Sequence, residues 1–180
     1  MKKCCVTGHR PQTLNSLMKY GDFNDIAFAD YCDAVSVVVL EAMKEGFDYF
    51  ISGGAIGVDL DFAEMVLHTR EMSIGNSNAK LEIAVPCDNQ DLKWRQEDKE
   101  RYADILSSAD KVNKLASKYT PDCMQKRNEY MVDNSEKVYA FWNGEEKGGT
   151  WNTIQYARSK GKDIEIIDLR KICKPIIDED

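Results

Sequence analysis

Basic residues are outnumbered in this chain: 24 Lys and Arg stand against 31 Asp and Glu, a formal charge of −7. That shortage argues against a protein that coats nucleic acid or an anionic membrane by bulk attraction, while leaving room for a local basic pocket. Proline is scarce, four in 180 residues, which excludes collagen-like and proline-rich compositions. The two histidines, His9 and His68, lie far apart, and the six cysteines contain no Cys-x-x-Cys pair, so no metal site is expected. No apolar run approaches the length of a bilayer, and the first one meets a glycine loop too soon to serve as a signal peptide. The expectation is therefore a cytoplasmic chain with no membrane partner, its thiols free and mostly buried.

What the chain does have is an ordinary globular composition, 43% hydrophobic and 31% charged. Its 180 residues make one domain's worth of chain. A short flexible tail is expected at Asp178, Glu179 and Asp180. Short apolar runs at 3–7, 47–52, 81–85, 137–142 and 163–167 have strand length, with a weaker candidate at 111–115. Between them the period changes to about 3.6. Val35, Val38, Val39, Ala42 and Met43 form one helical stripe that stops at Gly46, and Val58, Phe62, Met65, Val66 and Thr69 form another. Helices are further predicted over 92–109, 122–133 and 152–160, whereas 14–30 and 72–79 read as loop or irregular helix. Strands alternating with helices predict an α/β fold of three layers, a mostly parallel sheet with helices on both faces.

In such sheets ligands bind beyond the carboxyl ends of the strands. Three strand ends here carry glycine: Thr7-Gly8-His9-Arg10-Pro11, Ser52-Gly53-Gly54-Ala55-Ile56-Gly57-Val58-Asp59, and Gly148-Gly149-Thr150 after the strand at 137–142. Glycine lets an anion approach the backbone, and the next helix offers free N–H groups and a favourable dipole. Neither a Walker A Lys-Ser/Thr nor a GxGxxG spacing is present, which excludes the obvious NTPase and the standard dinucleotide dehydrogenase. On a helix over 122–133, Met124, Arg127, Asn128 and Met131 share one face, which places Arg127 and Asn128 at the sheet. Arg127 there is either half of an internal salt bridge or a clamp for a phosphate or carboxylate. Asp59 is either a ribose-hydroxyl acceptor or a helix-start residue complementing the dipole. Thr150 reads as a phosphate contact or as the N-cap of the last helix. Trp151, beside Gly149 and Thr150, is the tryptophan best placed to stack on a base, Trp142 reads as core or pocket wall, and His9 reads as a solvated loop residue.

The three glycine segments in this order resemble the YpsA-like family of the SLOG superfamily, Rossmann-like proteins that also include DprA-type DNA-processing proteins and LOG phosphoribohydrolases. The resemblance runs from Lys3 to about Asp168. It implies a nucleotide-derived ligand, such as an ADP-ribose-like, NAD-like or nucleoside phosphate molecule, which the protein binds as sensor, carrier or sequestering module, with no further cofactor required. The ligand set it implies is Gly8, Arg10, Ser52, Gly53, Gly54, Asp59, Arg127, Asn128, Gly148, Gly149 and Thr150. The LOG reaction, hydrolysis of an N-glycosidic bond, is the alternative. LOG enzymes use an Arg in a Met-x-x-Arg-Lys-x-x-Met helix, matched here by Met124, Arg127 and Met131 with Asn128 in place of Lys. They also use a Glu three residues after the glycine-rich Thr, and that position is Thr153, whose hydroxyl cannot replace a carboxylate. Asp59 and Arg127 are then the remaining catalytic candidates. A DprA-like single-strand DNA binder is third, with the −7 charge against it. Proteins of this kind often pair, so a homodimer is the expected assembly.

Overall fold

Strand β1 (Lys3–Thr7) is the apolar run on which the fold is organised, because it is buried on both faces. Cys4 and Val6 enter one hydrophobic core and Cys5 the other, the period-2 alternation of a strand. The computed structural model describes residues 1–74 and 78–173. After β1 the order is α1 (Pro11–Leu14), α2 (Ile26–Lys44), β2 (Tyr49–Ser52), α3 (Val58–Glu71), β3 (Lys80–Val85), α4 (Gln96–Ser108) and β4 (Lys111–Lys114). The chain then continues through α5 (Cys123–Asp133), β5 (Lys137–Trp142), α6 (Gly148–Ser159), β6 (Asp163–Asp168) and α7 (Leu169–Ile172).

The six strands form one sheet in the order β4-β3-β2-β1-β5-β6, and every pairing is parallel. Strands β1 to β4 step outward to one edge, then the chain returns to lay β5 on the free side of β1. Helices α2, α3, α4 and α7 pack together, and α5 packs on α6. The larger core joins Val35 and Val39 of α2 and Phe62 and Val66 of α3 to Val6 and Phe50 of the sheet. The smaller joins Met131, Val132 and Ala157 to Cys5, Ile51 and Val138. This is an α/β three-layer, Rossmann-like fold, its sheet parallel throughout.

One buried carboxylate interrupts β3. Glu82 is 1% exposed and accepts from the Tyr49 hydroxyl at 2.6 Å, the Tyr130 hydroxyl at 2.7 Å and Lys111 Nζ at 3.2 Å. Burial alone would raise its pKa, but these three donors outweigh it and hold the carboxyl below its ordinary value. All six cysteines are free and only Cys32 is not buried. Among the described residues no helix is long and apolar enough to cross a membrane.

The short helices α1 and α7 are not predicted from sequence, and three helix starts shift by several residues. Helix α2 starts at Ile26, inside the segment read as irregular, because Phe28 and Tyr31 bury there while Asp25, Asp30 and Asp33 blur the apolar pattern. Helix α4 starts at Gln96 rather than 92, since Asn89 takes a positive φ of 58° and the chain turns before Trp94 packs on Tyr102. Helix α6 starts at Gly148 rather than 152, which makes the Gly-Gly-Thr segment its first turn and Lys147, not Thr150, its N-cap. Positions 75–77 of the 72–79 segment, and the predicted tail at 178–180, lie outside the described residues.

Candidate functional site

The strand order reverses between β1 and β5, so loops leaving these strands diverge and open a crevice at their carboxyl ends. A cleft of about 360 Å³ lies there, lined from β1, β2 and β5 loops and from α5. Glycine brings its walls together. At Gly57 (φ +100°) a Cβ would stand 2.4 Å from the His9 carbonyl oxygen, which instead accepts from Val58 N–H at 3.2 Å. At Gly8 a Cβ would lie 2.5 Å from Val58 Cβ.

His9 ties the third wall. Its Nε2 accepts from the Asn143 backbone N–H at 3.1 Å, which fixes a neutral ring with its proton on Nδ1. Burial lowers its pKa, and neighbouring Glu145 and the Asn143 side chain only partly oppose this. The expectation of a solvated His9 is corrected: its partner is a backbone group 134 positions away, invisible to local sequence patterns. The sign of the pH effect follows. The unfolded state takes up a proton at about pH 6.5 while the folded state resists until lower pH, so stability is full above that value and falls as pH drops through it. Melting temperature should decline on acidification from pH 7 to 5.5, and His9→Gln should flatten that slope; equal slopes would refute the neutral tie.

The second glycine loop closes on itself. Ser52 Oγ donates to the Asp59 carbonyl at 2.7 Å and accepts from Gly54 N–H at 3.2 Å. Asp59 Oδ2 accepts from Ala55 N–H at 3.4 Å and from Arg127 Nη1 at 2.9 Å. Both side chains of this ion pair are under a tenth exposed, at 6% for Arg127 and 8% for Asp59. Burial raises the Asp59 pKa above its ordinary value even though Arg127 and the Ala55 N–H pull it down. Gly53 explains how the pair forms: a Cβ there would fall 1.3 Å from Arg127 Nη1, so the guanidinium occupies the space a side chain would fill.

Of the predicted ligand set, Gly8, Arg10, Asp59, Arg127, Asn128, Gly148, Gly149 and Thr150 line the cleft together. Ser52, Gly53 and Gly54 do not line it; they build the loop behind Asp59. Reasoning from sequence missed Asn143, Glu145 and Thr13 in the lining, none of which carries a distinguishing motif. Gly148 (φ +81°) and Gly149 would bring a Cβ to nothing within 4 Å, so packing does not demand glycine at either position. The lining holds three cations, Arg10, Arg127 and Lys147, against the two carboxylates of Asp59 and Glu145. Lys147 pairs with Glu145 at 3.0 Å, whereas Arg10 has no ion-pair partner among the described residues. Arg127 Nε is buried with no hydrogen-bond acceptor among the described residues.

Two expectations need correction. Trp151 is not in the cleft; it stacks on Trp142 at 5.2 Å with an interplanar angle of 15°, and Arg158 covers it at 5.4 Å. Thr150 is the third residue of α6 and no N-cap. Thr153, at the position of the LOG carboxylate, is fully buried and donates to the Gly149 carbonyl at 2.8 Å.

A family model, YpsA, described as the YspA SLOG family, matches residues 4–172. A UPF0398 protein of Bacillus cereus strain B4264 is 28% identical over 166 residues, covering 90% of this chain and 85% of the relative. A UPF0398 protein of Bacillus thuringiensis strain Al Hakam is 27% identical with the same coverage. Among solved structures, TM1055 is similar with a TM-score of 0.53 at 17% identity, over 91% of this chain and 72% of that one. DNA processing protein A from Helicobacter pylori, whose structure is described for its single-stranded DNA binding, gives a TM-score of 0.58 at 17% identity, over 92% of this chain and 64% of that one. DprA of Streptococcus pneumoniae gives 0.57 at 14% identity, over 99% and 52%. At such identities the structures speak for the fold alone, while the family model covers nearly the whole chain: the protein belongs to the YpsA family of SLOG proteins.

Proposed function

We propose that the cleft binds a nucleotide or nucleotide-derived phosphate, of the ADP-ribose, NAD or nucleoside phosphate kind, and that the protein senses, carries or sequesters it. The observation that carries this reading is Arg127, 5% exposed, lining the cleft with an Nε that finds no acceptor among the described residues. A buried donor left unpaired is costly, and an anion in the cleft relieves it. Arg10 supplies a second, unpaired cation, and the N-terminus of α6, with Gly148 and Gly149 open in front of it, favours negative charge.

The hydrolase alternative lacks a free acid. Asp59 is held by Arg127, Glu145 by Lys147, and Thr153 is bonded into its own helix. Binding without turnover is therefore the reading adopted here. It is tested by melting the protein with ADP-ribose, NAD, AMP, ribose 5-phosphate and inorganic phosphate. Ligand near 100 Kd should stabilise by about 2.7 kcal/mol. Arg10→Ala and Gly149→Val, the latter placing a side chain in the open space before α6, should abolish the shift without lowering the unliganded melting temperature appreciably. No shift with any phosphate compound, or a shift that survives both substitutions, overturns the assignment. Release of free base or ribose phosphate would transfer it to the hydrolase reading.

A further inference from the structure

A second cavity, of about 620 Å³, shares no lining residue with the cleft. It opens between the loop at 20–23 and helices α2, α3 and α4, and its size lies within the roughly 300–1,000 Å³ of small-ligand pockets. The loop and α2 contribute Tyr20, Phe23, Phe28 and Tyr31. Their rings support one another: Tyr20 and Phe23 meet Phe28 edge-on at 5.4 and 5.1 Å, and Phe28 stacks on Tyr31 at 6.0 Å. Phe23 is nonetheless 77% exposed, a large aromatic surface left to solvent at the cavity.

Helices α3 and α4 contribute charge of the opposite character to an apolar wall: Asp61, Glu64, Asp98 and Arg101. One guanidinium serves two carboxylates, since Arg101 Nη2 lies 2.6 Å from Asp61 Oδ1 and 2.6 Å from Glu64 Oε2. Asp98 has no ion-pair partner among the described residues. The groove continuing between α3 and α4 adds Glu71 and Asp104. Asp61 also accepts from the Tyr20 hydroxyl at 2.8 Å and from that of Tyr31. Burial still raises its pKa above the ordinary value, so the donors around it do not fully offset the loss of water.

An anion entering this cavity meets several carboxylates, and a neutral molecule leaves their surplus charge in place. A cation with a hydrophobic body satisfies both walls, its charge beside the carboxylates and its body on the aromatic faces. We propose that this cavity binds a small organic cation, an ammonium or amidinium head on an aromatic or alicyclic body. The site is separate from the phosphate cleft and does not depend on that reading.

The test uses the full chain and three probes that share one phenethyl body, phenethylammonium, phenethyl alcohol and hydrocinnamate, titrated by calorimetry with chemical-shift mapping. Phenethylammonium should bind about tenfold more tightly than the alcohol, and hydrocinnamate should not bind. Phe23→Ala, at an exposed side chain, and Asp98→Asn, at a half-buried one, should each weaken the cation several-fold while the melting temperature holds. Arg10→Ala should leave it unchanged, which separates failure of this site from failure of the cleft. Equal affinities for the three probes, no binding of the cation, or a cation affinity indifferent to both cavity substitutions overturns the proposal.

Discussion

Arg127→Met should lower stability by about 3–5 kcal/mol, the expected cost of leaving one partner of a buried ion pair uncompensated. In a chain of this length that is a fall in melting temperature of roughly 10 °C or more. Methionine keeps an unbranched side chain on α5 but empties the space over Gly53 that the guanidinium fills, so the loss combines the missing charge with that space. Asp59→Leu should also destabilise, because it strands the guanidinium. The double variant should be less harmed than the two singles together, with a coupling of about 2 kcal/mol or more. The single variant has a pH signature as well. Burial already raises the Asp59 pKa, and without Arg127 nothing cationic of comparable proximity opposes it. Its folded-state pKa then stands further above the unfolded value, so the folded protein gains a proton where the unfolded one does not. The deficit of Arg127→Met relative to the parent should shrink as pH falls toward the unfolded carboxylate value near 4 and be fullest at neutral pH. Chemical denaturation at pH 7.5 and 5 measures all three quantities; additive singles would mean the pair is not coupled.

Gly57→Ala is the second large effect. The backbone there has φ +100° and ψ −139°, a region that L residues rarely enter, and the new Cβ would sit 2.4 Å from the His9 carbonyl oxygen. Conformational strain and the clash together should cost about 3 kcal/mol. Gly46→Ala is the control, since Gly46 also has a positive φ (87°) but nothing lies within 4 Å of its Cβ position. It should cost only the strain, roughly 1 kcal/mol. The difference between the two isolates the clash. Because His9 lines the cleft, Gly57→Ala should also weaken any cleft ligand, whereas Gly46→Ala should not. Two variants with equal melting temperatures would show that the loops adjust freely.

The pattern of what the sequence disclosed follows burial and distance along the chain. Strands β1, β2, β3 and β5 were legible because they are covered on both faces and read as short, mostly apolar runs. Strand β4 was only a weak candidate because its residues are largely exposed and its pairing with β3, not its composition, defines it. The Arg127 face of α5 was legible from a local period of 3.6, and α5 indeed buries Arg127, Asn128 and Met131. The meaning of Gly53 was not, since the atom that needs its missing side chain belongs to a residue far along the chain. Likewise Gly148 and Gly149 read as loop because glycine is a poor helix former, a penalty that matters least in a first turn whose N–H groups have no helical partner.

The placement of β5 beside β1 has a consequence for how the molecule is made. Cys4 pairs with Lys137, so during synthesis the inner edge of β1 has no neighbour until the sixth decade of residues after β3 has emerged. At ordinary translation rates that interval is on the order of ten seconds. Strands β1 to β4 can assemble in that time as a sheet with β1, a strand buried in the finished fold, as its rim, an arrangement prone to capture by another nascent chain. The crevice comes into being only when the last third of the chain closes that rim. Formation of the cleft and protection from misassembly are thus completed by one late event.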